Sequence, residues 1–406
     1  MMMILVVIAG ASIAFANGQN DVSKGIATLV GSGVTNHRRA ILWGSLWTGI
    51  GGFAGAAIAG AMITTFGNGL LASGATPTFA TALAVVFGAA AWVFIATRTG
   101  LPVSTTHAIV GALTGVALVA FGTSGLQWQA LAHKIALPLL LTPLIALTLT
   151  AMLLRMTRRN DRAPADCACV TAPIVSLVPR ADGLARIAVT APRLVVASTT
   201  ACEAQPVAAR VTMDYLHWLT SGAASFARGL NDAPKIVALI MAGAILTGDT
   251  VAPAIWFAVV TVAMVAGSIY GGLGVLDVLA CRVTRMDHHE GFMANLVTAT
   301  LVGLGAWQGL PLSTTHVSTG AIVGAGTARA GAIASSGFAG ARSNAERCAD
   351  QIASPGFAGA RSNAERCAGK IDWRTVRGLL LAWIVTLPLA ALLAVIAYGA
   401  LRMVGL

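Results

Sequence analysis

Phe15-Ala16-Asn17-Gly18-Gln19-Asn20-Asp21-Val22-Ser23-Lys24 sits inside a strongly apolar stretch. It returns as Phe226-Ala227-Arg228-Gly229-Leu230-Asn231-Asp232-Ala233-Pro234-Lys235. A second motif also occurs twice, as Gly100-Leu101-Pro102-Val103-Ser104-Thr105-Thr106-His107 and as Gly309-Leu310-Pro311-Leu312-Ser313-Thr314-Thr315-His316. Asn20 recurs 211 residues later and Pro102 recurs 209 residues later. One match to Asn-Asp means nothing, but two ordered motifs in register mark a duplicated unit. Both are polar, Gly/Pro-broken insertions in apolar surroundings. That pattern points to a carrier whose site lies between two repeats.

Composition sets the class. Charged residues make up 10% of the 406, the hydrophobic set 56%, and mean hydropathy is +0.79. A soluble domain carries roughly 25% charge. The net charge of +11 comes mostly from Lys and Arg in loops beside apolar spans. It therefore reads as a topology signal, not as a nucleic-acid surface. The six cysteines form no framework: Cys167-x-Cys169 has no His at ligand spacing, so free thiols are expected and no metal or cofactor site. The first sixteen residues lack the basic start of a signal peptide, and cleavage after Ala16 would cut the repeated motif.

Five apolar segments fall in the first half: 2–33 (broken near Asn17–Asp21), 40–61, 79–97, 103–121 and 131–154. Five more follow at 214–246, 252–278, 291–307, 313–328 and 377–400. Basic residues mark alternate loops: His37, Arg38 and Arg39, then Arg98, then Arg155, Arg158, Arg159 and Arg162. The intervening loops are uncharged except for His133 and Lys134, which can snorkel from a helix end. This puts the N-terminus outside and the basic loops in the cytoplasm. The second half alternates in reversed phase, with Arg282 and Arg285 and then the 329–377 stretch. Five crossings per copy require a second copy of opposite orientation, so charge and motif agree on an inverted repeat. The expected fold is an all-α polytopic membrane protein with two inverted repeats of about five segments each. Broken or re-entrant helices are expected at the midplane. The units are 1–154 for repeat one, 155–213 for a cytoplasmic linker and 214–329 for most of repeat two. Residues 330–376 form a cytoplasmic insertion and 377–406 the last membrane helix. Within the insertion, Gly337–Ala349 and Gly356–Ala368 are identical, a local duplication expected to be surface loop outside the transport unit.

Two chemistries follow. Asp21 and Asp232 each sit beside an Asn (Asn20, Asn231) and three residues before a Lys (Lys24, Lys235). A carboxylate at membrane depth must face partners or a cavity. An Asp–Lys pair that only holds the bundle together is the plainer reading. The functional one is a site for a coupling cation or proton, with the lysines adding positive potential toward an anion. Gly18, Gly229 and Pro234 point to broken helices there. Pro102 and Pro311 open helix starts whose N–H groups suit oxyanions. Ser104, Thr105, Thr106, Ser313, Thr314 and Thr315 add neutral donors, which also allow release. Ordinary N-capping is the alternative for these hydroxyls. His107 and His316 are supporting residues. A Ser/His/Asp hydrolase finds no single assembled constellation, so the chain is not read as an enzyme. An anion channel remains a rival.

The four motif instances resemble those of the inorganic phosphate transporter (PiT) family, whose halves each carry a Gly-Ala-Asn-Asp-Val-Ala-Asn-Ala-like signature and a Pro-x-Ser-Thr-Thr-His element. The resemblance covers both membrane halves. It implies an ion-coupled symporter of inorganic phosphate in a bacterial-type inner (plasma) membrane, surrounded by lipid, with a homodimer as candidate assembly. It also implies a coupling-ion role for Asn20, Asp21, Asn231 and Asp232, and an anion held between the two Ser-Thr-Thr helix starts. Ser23-Lys24 and Pro234-Lys235 depart from the signature where sodium-coupled members help form cation sites. That departure favours a coupling proton over sodium, and it resembles the branch that includes sulfate permeases, so sulfate is the alternative substrate.

Overall fold

The computed structural model describes residues 2–67, 69–157, 166–179, 185–248, 251–336 and 371–405. The duplicated 337–368 segment lies outside them. The chain opens with α1 (Met2–Asp21) and α2 (Ser23–Gly31), interrupted at Val22. Val22 keeps helical φ and ψ (−57°, −35°), its N–H still bonds the Gly18 carbonyl at 3.3 Å, and the Ser23 hydroxyl donates to the Asn20 carbonyl at 3.1 Å. Next come α3 (His37–Ala54), α4 (Gly60–Gly67), α5 (Phe79–Arg98), α6 (Thr105–Phe121) and α7 (Trp128–Thr157). The second half supplies α9 (Met213–Leu246), α10 (Pro253–Gly271), α11 (Leu273–Asp277), α12 (His288–Trp307), α13 (Thr314–Ser336) and α14 (Trp373–Met403). Between the halves lie β1 (Cys167–Thr171), β2 (Val175–Pro179), β3 (Ala185–Val189), β4 (Leu194–Ala197), α8 (Thr199–Glu203) and β5 (Val207–Thr212).

Three expectations need correction. The chain is not all-α, because the linker between the halves carries β-strands. Its strands form an antiparallel sheet of order β4-β1-β5 and a separate β2–β3 hairpin. Helices still dominate the chain. Second, the break expected in both motif copies is in the first no more than a one-residue irregularity at Val22, across which Met2–Gly31 continues as one span. α9 runs unbroken through Asn231, Asp232 and Pro234 for 34 residues. Pro234 leaves the Leu230 carbonyl without its helical donor, and both pack beside Gly55, where an added Cβ would stand 3.3 Å from the Pro234 ring and 3.4 Å from the Leu230 oxygen. Third, the ten apolar segments are all helical, but among the described residues only six helices are long and apolar enough to span a membrane. The number is seven if α3 and α4 count as one span bent by 83°. α6 has 17 residues, about 25 Å at 1.5 Å per residue, short of a hydrocarbon core of about 30 Å. The chain is an integral, multi-pass membrane protein. Leu140, Leu144, Leu381 and Ile384 are among the large apolar side chains exposed on its surface.

The two halves interlock by exchanging equivalent contacts. α1 packs on α10 and α9 on α3; α6 packs on α14 and α13 on α7. Glycines make these crossings close. A Cβ on Gly18 would stand 2.0 Å from the Met264 carbonyl oxygen, and one on Gly229 would stand 2.3 Å from that of Thr48. Gly18 and Gly229 therefore serve helix contact, not helix breaking. Gly111 and Gly115 on α6 meet Leu387 and Ala391, and Gly320 and Gly324 on α13 meet Pro143 and Leu147. This is a Gly-x-x-x-Gly contact in each half, which the sequence reading passed over.

Gly111→Ala and Gly320→Ala each force a methyl to within 2.3 Å of a facing backbone oxygen. Each is expected to lower stability by about 1–3 kcal/mol, read from thermal unfolding in detergent. Gly378→Ala meets open space and is expected to leave the midpoint unchanged or slightly raised. Equal loss in all three would refute the close-crossing account.

Candidate functional site

All fourteen residues singled out from the motifs are buried, and contacts between the halves join them into one polar cluster. Its frame is reciprocal. Lys24 Nζ donates to the Val103 carbonyl at 3.0 Å, and Lys235 Nζ donates to the Leu312 carbonyl at 2.7 Å. Thr315 Oγ1, from the other half, also donates to the Val103 carbonyl at 2.8 Å, as Thr106 Oγ1 does to Leu312 at 3.3 Å. Asn20 Nδ2 bonds the Leu101 carbonyl and Thr97 Oγ1, each at 3.0 Å, while Asn231 Nδ2 bonds the Leu312 carbonyl at 2.9 Å. Each Asn therefore ties its own half's Pro-x-Ser-Thr-Thr-His loop to the helix bearing the Asp.

The predicted hydroxyls divide by role. Ser104 Oγ accepts the His107 N–H at 3.2 Å and Ser313 Oγ accepts the His316 N–H at 3.3 Å, which is ordinary N-capping. Thr106 and Thr315 lock the halves together as described, and Thr106 Oγ1 also accepts from Lys235 Nζ at 2.9 Å. Thr105 Oγ1 accepts from Asn17 Nδ2 at 3.0 Å, beside the carboxylates. Thr314 is buried at the start of α13. The histidine rings lie 4.5 Å apart, and His316 stacks on Trp383 at 3.8 Å while its Nδ1 reaches the Leu139 carbonyl at 3.1 Å. That is a packing role on the flank of the cluster.

Two residues at the centre escaped the sequence reading. Asn17 Nδ2 lies 3.2 Å from Asp21 Oδ2 and 3.2 Å from Asp232 Oδ2, so the two carboxylates face each other across one amide. Arg228, 1% exposed, donates through Nη2 to Thr48 Oγ1 at 2.7 Å and to Ser268 Oγ at 3.4 Å. Asn17 and Arg228 hold the same place in the two motif copies. Theirs is a neutral-for-charged exchange in otherwise matched polar positions, and alignment of the copies could have exposed it.

The charge count is unequal. Lys24 pairs with Asp21, and Lys235 with Asp232 at 3.2 Å. Arg228 adds a third cation, so three buried cations face two carboxylates, all five at 4% exposure or less. Around the carboxylates Arg228 Nη1, a donor, and Asn17 Oδ1 and Asn231 Oδ1, both acceptors, lack a protein partner, as do His107 Nδ1 and His316 Nε2 on the flank. A buried set with one excess positive charge and both kinds of unused hydrogen-bonding group suits an anion that can donate as well as accept.

The chain is similar to known proteins over nearly its whole length. The model of the phosphate transporter family matches residues 17–394. A protein of Rhizobium meliloti (strain 1021) named "Probable low-affinity inorganic phosphate transporter" is 25% identical over 397 residues, covering 96% of this chain and 94% of its own. A protein of the same name from Mycobacterium tuberculosis (strain ATCC 25618 / H37Rv) is 25% identical over 411 residues, covering 100% of this chain and 78% of its own. Among solved structures, one titled "The sodium-dependent phosphate transporter" superposes with a TM-score of 0.67 at 20% identity, over 99% of both chains. That last likeness is one of fold.

Removing one member of a buried ion pair strands the other at a cost of about 3–5 kcal/mol. Lys24→Met is expected to destabilise the protein on that scale, and Asp21→Asn/Lys24→Met by clearly less. A thermal-unfolding double-mutant cycle checks this. Additive losses would mean that the pair does not interact.

Proposed function

The chain belongs to the phosphate transporter family, a family of carriers and not of enzymes, and we propose that it is a proton-coupled symporter of inorganic phosphate. One observation carries the reading: both motif copies converge on a single buried cluster with one positive charge in excess. In a low-dielectric interior such an excess is costly unless an anion answers it. Dihydrogen phosphate balances it directly. Hydrogen phosphate balances it once one proton sits on Asp21 or Asp232. Either way one proton crosses with each divalent anion, which is proton symport.

Sodium has no vacant carboxylate here. Asp21 and Asp232 each have a lysine already in place, and Arg228 adds to the repulsion a bound cation would meet. Phosphate is favoured over sulfate by the unused Asn17 and Asn231 carbonyl oxygens, because protonated phosphate donates hydrogen bonds and sulfate cannot. In this reading Arg228, Thr105, Thr314 and the two helix starts face the anion, and Ser104 and Ser313 hold those starts in shape. The buried state of the cluster is then an occluded one. Release requires the α6 and α13 starts to separate from the Asn-Asp helices on one side at a time.

Two sets of loop contacts support the opposed orientation of the halves. The uncharged loops of the first half meet each other, with Ala72 N–H bonding the Gly125 carbonyl at 2.9 Å and Gln127 N–H bonding that of Leu70 at 3.0 Å. The basic loops meet elsewhere: His37 bonds Asp277 at 2.9 Å, His288 pairs with Asp214, Arg329 pairs with Glu290, and Asp372 N–H bonds the Val283 carbonyl at 3.0 Å. Placing the basic set in the cytoplasm of an inner membrane follows the positive-inside rule.

The test is uptake of labelled phosphate into proteoliposomes containing potassium as the sole alkali cation, under an inward proton gradient. Accumulation without sodium is expected, with little competition from sulfate. Asp21→Asn and Asp232→Asn are each expected to abolish accumulation while the protein remains folded. A requirement for sodium at constant pH would overturn proton coupling. Sulfate uptake that phosphate does not compete with would reassign the substrate.

A further inference from the structure

The small β unit between the halves gathers three sulfurs that the transport reading does not use. Cys167 and Cys169 lie two apart on β1, so their side chains share the inward face. Cys202 comes from α8, 33 residues beyond Cys169. All three are at most 2% exposed, and their Sγ atoms all lie within 4.8 Å of one another. Sequence spacing reveals only the Cys-x-Cys; the fold supplies the third thiol.

The cluster is held from outside. Asp166 Oδ1 accepts the Thr199 N–H at 2.6 Å, and Ser198 Oγ caps α8 by accepting the Ala201 N–H at 3.3 Å. Cys202 Sγ reaches the Cys167 carbonyl at 3.9 Å. The two bonds to the Thr199 and Ala201 amides hold the start of α8 against β1, which places Cys202 beside the other two sulfurs. Among the described residues the apolar core here is the three cysteines, with Val195 and Val207 packed against them. Units this small are usually stapled by a disulfide or a metal. In the structure Cys169 and Cys202 are joined and Cys167 stands beside them as a thiol.

We propose that Cys167, Cys169 and Cys202 form a three-thiolate site for a thiophilic d10 metal ion, Cu(I) or Zn(II). The choice of metal over disulfide rests on the cytoplasmic placement of the linker, since that compartment keeps thiols reduced. Two equivalents of a cellular thiol convert the Cys169–Cys202 disulfide into two thiols and leave as their own disulfide. Metal binding then releases the three thiol protons. Thiolates around a metal at about 2.3 Å stand about 3.8 Å apart, so the sulfurs are already close enough to converge on one ion. Three thiolates complete a trigonal Cu(I) site and leave a fourth, open position for Zn(II). The site would be a structural staple for the linker, separate from the anion pathway.

The experiment uses the full-length protein, purified in detergent under reducing conditions, with elemental analysis for copper and zinc. About one equivalent of one of these metals per chain is expected, falling at least tenfold in Cys202→Ser and in Cys167→Ser. Loss of folding in those variants is bypassed with the unmutated chain: chelator-stripped protein titrated with Co(II) is expected to develop thiolate-to-cobalt charge-transfer absorption, saturating at one equivalent. Metal-free protein whose three thiols all alkylate without any cobalt band overturns the proposal. So does a Cys169–Cys202 cross-linked peptide recovered from cells alkylated before lysis. Neither readout depends on transport, so failure here leaves the phosphate reading standing.

Discussion

A charged side chain placed at membrane depth loses the hydration that stabilised it, at a cost of about 2.5–3.5 kcal/mol even on lenient insertion scales. Five such groups are buried here: Asp21, Lys24, Arg228, Asp232 and Lys235. No one helix can satisfy them. Lys24 needs a carboxylate from its own helix pair and a carbonyl from the Val103 loop, and that loop needs Thr315 from the other half. Satisfying the charges therefore dictates how the halves dock. The glycine crossings of α1 on α10 and α9 on α3 bring the backbones near enough for those bonds to form.

The same arrangement explains why two similar but unequal copies are useful. Symmetric contacts through Val103 and Leu312 make the two faces of the cluster nearly equivalent, as a carrier opening to either side requires. The exchange of Asn17 for Arg228 breaks the symmetry at the centre. It leaves one positive charge unanswered by protein, the charge that the proposed function gives to the transported anion. A symmetric site with two lysines and two aspartates would be neutral when empty and would have no electrostatic reason to hold an anion.

Much of this was legible in the chain itself, for a definite reason. Apolar runs and the Lys/Arg bias of loops are properties of single segments, so the helices and the paired motifs could be read directly. What the sequence concealed was relational. Gly18 and Gly229 look like helix breakers until the partner carbonyls of Met264 and Thr48 are seen. Ser104 and Ser313 look only like anion donors until their acceptance of the His107 and His316 amides is seen, a capping role that leaves the hydroxyl donors unspent. Pro234 suggests a break, but α9 absorbs it within a long, well-packed helix. The linker strands are short and bear few alternating apolar residues, and Cys202 joins Cys167 and Cys169 only after β1 and α8 have folded together.

The central claim is that two motif copies build one anion site, not two. Equilibrium binding of labelled phosphate to the purified, unmutated protein measures this directly. The account predicts saturation at one phosphate per chain, with that single site lost on Arg228→Met. Two phosphates per chain, or one that persists undiminished in Arg228→Met, would contradict it.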